Sequence, residues 1–240
     1  MLGVLGGMGP AATADFLAKL VRLTPARCDQ EHIPLLLSSQ PQTPDRSAAI
    51  LGSGPSPLPA LLGGLGRLLQ GGARVIVIPC NSSHHWYEQL QSASPVPILH
   101  IADATLAALA SRPGGPGPVA ILATRGTLFS GFYQRKLEAA GHRWLAPETR
   151  LQAEVDGVIR AVKAGAMVQA ALVLAGIWER LGQAGVGTAL LACTDLPVAA
   201  ECLPPPPFTA LDSNLELARA AVDRVLKTSW HRPFQPIDPP

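Results

Sequence analysis

Two cysteines stand in matching surroundings. In Val77-Ile78-Pro79-Cys80-Asn81-Ser82-Ser83-His84 an apolar run stops at a cysteine and opens into small polar residues. Leu190-Leu191-Ala192-Cys193-Thr194-Asp195 repeats the arrangement in the other half of the chain. Each run reads as a buried strand, and the Asn, Ser, Thr and Asp that follow read as helix N-caps. A thiol there would sit near unpaired backbone N–H groups and the positive end of a helix dipole, which favours thiolate. A cysteine's ordinary pKa of about 8.5 suits it to proton transfer near neutrality. One thiolate and one thiol facing each other across a cleft could remove a proton from one face of a carbon and return one to the other, which inverts a stereocentre. The two titrations would be coupled, and backbone N–H groups at the helix starts could hold the charge that develops. A free cysteine is more often a packing residue, and Cys28 and Cys202 are read that way.

The elements that must position this pair alternate strand and helix. An apolar run over 2–5 breaks at Gly6-Gly7-Met8-Gly9-Pro10 and leads into a helix over 11–23, the unit that brings backbone N–H groups up to an anion. The turn has neither the Walker sequence nor the GxGxxG spacing. A strand over 33–38 is followed by the proline-bounded Pro44-Asp45-Arg46, which puts Arg46 at a strand's carboxyl end, where ligands bind in parallel α/β sheets. Strands over 74–78 and 188–192 carry the cysteines, and a helix over 82–91 follows Cys80. Further strands are expected at 96–99, 119–123, 143–145 and 208–211. Helices are expected at 61–69, 101–110, 128–139, 149–163, 167–184 and 215–226. Alternation of this kind predicts parallel sheets and an α/β fold of two similar lobes with the site in the cleft between them. Residues 1–100 plus 208–228 would form the lobe carrying Cys80, and 101–207 the lobe carrying Cys193. Residues 112–118 read as a loop and 229–240 as a loose tail.

Composition excludes several functions. With 48% apolar and 15% charged residues the chain can build a buried core, and a net charge of +2 without a basic block gives no footprint for nucleic acid or an anionic membrane. No apolar run approaches the ~20 residues of a membrane span. The N-terminus lacks a basic leader region, and four scattered cysteines without CxxC spacing read as reduced intracellular thiols. A soluble cytoplasmic protein is expected. Adjacent His84 and His85 would point about 100° apart on a helix, which does not make a metal pair. One is expected to pack and the other to be exposed.

The ordered set Gly6-Gly7-Met8-Gly9-Pro10 with Thr13, Pro44-Asp45-Arg46, Pro79-Cys80-Asn81 with His84, Thr124 with Gly126-Thr127 and Ser130, and Cys193-Thr194 with Leu196-Pro197 resembles the aspartate/glutamate racemase family. The match runs over nearly the whole chain. The resemblance implies two quasi-symmetric Rossmann-like lobes, a cofactor-independent two-base mechanism, an amino-acid substrate and a homodimer. It implies that Cys80 and Cys193 are the bases. Met8, Asn81, Ser82, Ser83, Thr124 and Thr194 would line the substrate site, the polar ones holding the α-amino and α-carboxylate groups. Arg46 and Lys163 would bind a side-chain carboxylate. Two departures bear on substrate preference: Ser82-Ser83 replaces the usual threonine and small residue, and Asp195 replaces the commoner glutamate. A glutamate racemase would have histidine at the position of Asp195. The alternatives are a maleate isomerase or hydantoin racemase type of enzyme, or a non-catalytic amino-acid-binding protein on the same scaffold.

Overall fold

The computed structural model describes residues 1–111 and 117–228. The expected tail from 229, and most of the expected loop over 112–118, lie outside the described residues. In chain order the first half contains β1 (Leu2–Gly6), α1 (Pro10–Leu23), β2 (Leu35–Ser39), α2 (Arg46–Ile50), α3 (Leu58–Gln70), β3 (Val75–Val77), α4 (Tyr87–Ser92) and β4 (Ile98–Leu99). The second contains α5 (Ile101–Ser111), β5 (Val119–Ala123), α6 (Arg125–Ser130), α7 (Phe132–Ala139), β6 (Trp144–Leu145), α8 (Thr149–Lys163), α9 (Met167–Gln183), β7 (Thr188–Ala192), α10 (Leu196–Ala200), β8 (Thr209–Asp212) and α11 (Ser213–Leu226).

The strands form two parallel four-stranded sheets, ordered β2-β1-β3-β4 and β6-β5-β7-β8. Counted within its own half, each sheet has the order second, first, third, fourth. The chain therefore repeats one topology. The second strand is added on one side of the first and the third on the other, and that switch point between the first and third strands of each sheet opens a crevice at their carboxyl ends. The glycine turn follows β1, the Cys80 segment follows β3, Thr124 follows β5, and Cys193 follows β7. All four chemical segments thus leave the two switch points.

Helices cover both faces of each sheet, so β1, β5 and β7 are buried along their whole length and read as apolar runs. In the first sheet Leu2, Val4, Val75 and Val77 pack against Phe16 and Leu20 of α1, and Leu5, Ile76 and Ile78 pack against Leu61, Leu65 and Leu68 of α3. In the second, Ala120, Leu122, Ala189 and Leu191 meet α8 and α9, while Ile121 and Leu190 meet Phe132, Tyr133 and Leu137 of α7. Each large aliphatic side chain buried this way contributes roughly 2 kcal/mol.

The strand expected at 208–211 does not complete the first lobe. It is β8, and Thr209–Asp212 pairs with Thr188–Leu191 of β7 as the outer strand of the second sheet. The helix after it does return. Leu217, Ala218, Ala221, Val222 and Val225 of α11 pack on the face formed by Leu2, Val4 and Val77. The exchange is mutual, because Ala102 and Leu109 of α5 pack with Val119 and Ile121 of the second sheet. The helix that follows each fourth strand crosses to the other lobe. A four-residue apolar run cannot state which of two similar sheets it joins, which is why the sequence misplaced β8. At this crossing Lys19 of α1, 4% exposed, lies 2.5 Å from both Asp15 and Asp212. Asp212 also caps α11 by accepting from the N–H groups of Asn214 and Leu215.

Cys28 and Cys202, expected to pack, are exposed. They sit in the irregular segments before a 3-10 turn at Asp29–Glu31 and after α10, where no sheet or helix face covers them. The helix expected over 128–139 is two helices, broken at Gly131, whose φ of +69° is left-handed.

Candidate active site

Cys80 is followed by a 3-10 turn over Ser82–Trp86 rather than by the α-helix expected from residue 82; the α-helix begins only at Tyr87. The side chains of this turn make their hydrogen bonds to other segments, and the turn is held by those bonds. Asn81 donates through Nδ2 to Ser213 Oγ at 2.9 Å and accepts at Oδ1 from the Tyr133 hydroxyl at 2.7 Å. Ser82 Oγ lies 2.9 Å from the hydroxyls of both Thr124 and Thr127, which are 3.0 Å from each other. Thr124 also caps α6 by accepting from the Thr127 N–H. Ser83 donates to Met8 Sδ at 3.4 Å.

His84 is the internal brace of this turn. The Ile101 N–H donates to its Nε2 at 3.2 Å, which leaves the proton on Nδ1 to be donated to the Cys80 carbonyl at 3.0 Å. The ring is buried, and that burial pulls its pKa down to about 4, against the opposing effect of its backbone hydrogen bonds. His84 is therefore a neutral imidazole that joins Cys80 to the start of α5. His85 is exposed, with Nδ1 2.9 Å from Ser130 Oγ. No group of three His, Cys, Asp or Glu that could hold a metal ion occurs among the described residues.

Cys193 comes directly after β7. Its neighbour Thr194 donates to the Pro79 carbonyl at 3.2 Å, so the two cysteine segments are stitched to each other across the lobes. Cys80 is 6% and Cys193 7% exposed, and a charge on Cys80 would be felt at Cys193, where it raises the thiol's pKa. The expectation of a dipole-favoured thiolate does not hold for Cys193. Burial pushes its thiol well above the ordinary range, the Asp195 carboxylate pushes it further, and Lys163 opposes them. The helix beside it, α10, has only five residues and little dipole to offer. Cys193 is thus held as the thiol, its Sγ 3.8 Å from Asp195 Oδ2.

Arg46 and Lys163 come together. They line a cavity of about 550 Å³ with Gly7, Gly9, Thr43 and Asp195. Asp45 caps α2 by accepting from the Ala48 N–H at 2.7 Å, and this seats Arg46 in the helix's first turn. The Arg46 guanidinium donates to the carbonyls of Thr43 and Pro44, each at 3.1 Å, while its Nε is buried without a partner. Lys163 is the last residue of α8. Two other cavities, of about 470 and 640 Å³, carry none of Arg46, Lys163 and Asp195. The lobes also meet closely where the Gly126 N–H donates to Ser47 Oγ at 2.8 Å; a Cβ on Gly126 would lie 2.7 Å from the Ser47 backbone.

The structure places the expected residues in three groups. The cations Arg46 and Lys163 line the open cavity. Ser82 and Thr124 form a hydroxyl cluster with Thr127. Met8, Asn81, Ser83 and Thr194 are buried and already partnered within the protein. Sequence reasoning gave no site role to Thr127, Tyr133, Ser213 or Ser47. Thr127 stood inside a noted motif, but the others have no local signal, since their partners lie in distant segments. Asp195 reads in the sequence as a helix cap and as a departure from the family pattern, with no role in the site.

Two parallel α/β lobes of one topology, with a buried cysteine after the third strand of each, define a pseudo-symmetric cleft enzyme. The family model described as Asp/Glu/Hydantoin racemase matches residues 5–221, and the chain belongs to that family of isomerases. The broad specificity amino-acid racemase RacX of Bacillus subtilis is 29% identical over 231 residues, covering 94% of this chain and 98% of the relative. The aspartate racemase of Picrophilus torridus superposes with a TM-score of 0.83 at 30% identity, over 93% of this chain and 92% of that one. A glutamate racemase of Bacillus anthracis, at 16% identity, shares the fold with a TM-score of 0.68 over 97% of this chain and 84% of its own.

Proposed function

We propose that this protein racemises an acidic amino acid, aspartate in the first instance, by a cofactor-independent two-base mechanism. Cys80 and Cys193 serve as the bases. The observation that carries the reading is the equivalent placement of the two cysteines after β3 and β7, joined by the Thr194–Pro79 bond, beside a cavity with two cations. The thiolate of one cysteine takes the α-hydrogen as a proton, leaving the electron pair on the α-carbon. The thiol of the other then delivers its proton to the opposite face, and the two cysteines exchange protonation states. Arg46 and Lys163 hold the side-chain carboxylate. The relative named as an aspartate racemase supports the dicarboxylate, and the one named as broad-specificity supports testing neutral amino acids beside it.

The test is a panel of L-amino acids with chiral product analysis and no added cofactor. Aspartate or glutamate should lead the panel. Cys80→Ala and Cys193→Ala should each lower kcat/KM by about 10²–10⁴-fold, the usual contribution of a general acid or base. Full activity in Cys193→Ala would end the two-base scheme. Equal losses on acidic and neutral substrates in Arg46→Ala would end the dicarboxylate assignment.

A further inference from the structure

The residues assigned above to the substrate's polar groups are all neutral, so none of them offers its α-ammonium a charged acceptor. Their contacts are within the protein: Asn81 Oδ1 accepts from Tyr133, Thr194 donates to Pro79, Ser83 donates to Met8, and the hydroxyls of Ser82, Thr124 and Thr127 lie within hydrogen-bond distance of one another. Two acidic residues line the cavity, and one of them, Asp45, is exposed and caps α2 through Oδ1. Asp195 remains. It is 3% exposed, one oxygen accepts the Cys193 thiol proton at 3.8 Å, and the other, Oδ1, is buried with no hydrogen-bond partner. A Cβ built on Gly9 would lie 3.5 Å from Oδ1, which places that oxygen beside the glycine turn in the lining of the same cavity.

We infer that Asp195 bridges the Cys193 thiol and the substrate's α-ammonium, Oδ2 holding the thiol and Oδ1 taking the ammonium. The inference rests on the amino-acid substrate proposed above. Its geometric consequence is direct, because the ammonium nitrogen is one bond from the α-carbon. Anchoring it on the carboxylate that also holds Cys193 sets that carbon beside the sulfur. Its electrostatic consequence follows from the groups facing the pair. Burial raises the Asp195 carboxyl above its ordinary value, with Lys163, Arg46 and the Cys193 thiol opposing it, and at Cys193 burial, the Asp195 carboxylate and Cys80 act upward against the Asp195 backbone N–H and Lys163. An arriving ammonium offsets the Asp195 charge and so eases the departure of the Cys193 proton only when substrate is in place. The buried, otherwise unpaired oxygen acquires its partner at the same moment.

Succinate is the probe, since it keeps both carboxylates of aspartate and lacks the ammonium. The wild-type protein should bind L-aspartate more tightly than succinate. Asp195→Asn should weaken aspartate by about tenfold, the scale of a lost charge-assisted hydrogen bond, leave succinate unweakened, and be partly rescued by Asp195→Glu. In a Cys80→Ser background, the pH dependence of Cys193 alkylation by iodoacetamide should move to lower pH on Asp195→Asn, because the carboxylate that raises the thiol is gone. Equal weakening of both ligands, or an unmoved alkylation profile, overturns the bridge. If Asp195→Asn does not fold, wild-type binding of succinate as tight as aspartate overturns it equally. Wild type that binds neither ligand overturns the dicarboxylate reading itself.

Discussion

Acid should loosen this protein through His84, and the size of the effect can be worked from its surroundings. Both ring nitrogens are engaged, Nδ1–H with the Cys80 carbonyl and Nε2 with the Ile101 N–H, so a second proton must break the bond to Ile101. Burial holds the folded pKa at about 4, against the ordinary 6.5 of the unfolded chain. Between those two pH values the unfolded chain binds a proton that the folded protein does not, so stability falls as pH falls through the window and is fully present above 6.5. At about 1.4 kcal/mol per pH unit, the loss reaches about 3 kcal/mol at pH 4. Asp103 favours the charged ring slightly, and neighbouring His100, itself pulled down to about 2 by burial, by His84 and by Lys136, adds a loss of the same sign. The perturbation is His84→Gln, whose amide can offer one donor and one acceptor. Urea unfolding followed by tryptophan fluorescence at pH 7.5 and pH 4 gives the comparison. The wild type should lose about 3 kcal/mol more than His84→Gln across that interval. A difference between the two proteins that stays constant within about 0.5 kcal/mol would refute the reasoning, because the neutral buried imidazole would then carry no proton linkage.

Other consequences follow from the contacts between lobes. Lys19→Met strands Asp15 and Asp212 in a nearly dry crossing and should cost about 3–5 kcal/mol in urea unfolding; a loss below about 1 kcal/mol would mean the triad is solvated. Gly126→Ala drives a methyl into the Ser47 backbone and should push α2, with Arg46 in it, out of place. The expected result is a higher KM for aspartate with a modest stability loss of about 1–3 kcal/mol, and an unchanged KM would show that Arg46 does not depend on this contact. Ser82→Ala removes one corner of the hydroxyl cluster. It should lower kcat/KM while Thr124 still caps α6, so circular dichroism should stay the same.

What the sequence shows of this molecule follows from the range over which each signal acts. The strands that end at Cys80 and Cys193 are buried on both faces, so their apolar runs are unmistakable, and the polar residues after them mark the turns. Two similar lobes, each carrying one cysteine, could be anticipated from that repetition. Where β8 goes could not, since the choice between two sheets is made by packing far from residues 209–212. The 3-10 turn after Cys80 overrode helix propensity because Asn81, Ser82 and His84 each find partners in other segments. At the site, Arg46 and Lys163 were suggested by strand ends and resemblance, and the fold brings them to one cavity. Asp195 shows the limit most clearly. Its type was visible, but its effect on Cys193 comes from burial that no local pattern encodes.

The central claim is that two cysteines act from opposite faces of one α-carbon. Its most direct test is proton NMR and mass analysis of L-aspartate turnover in deuterium oxide without added cofactor. At early times the D-aspartate formed should carry one α-deuterium, while recovered L-aspartate should carry none, and Cys80→Ala and Cys193→Ala should each suppress product formation. Recovered L-aspartate that gains deuterium as fast as product appears would mean that one group serves both faces, and the two-cysteine account would not survive it.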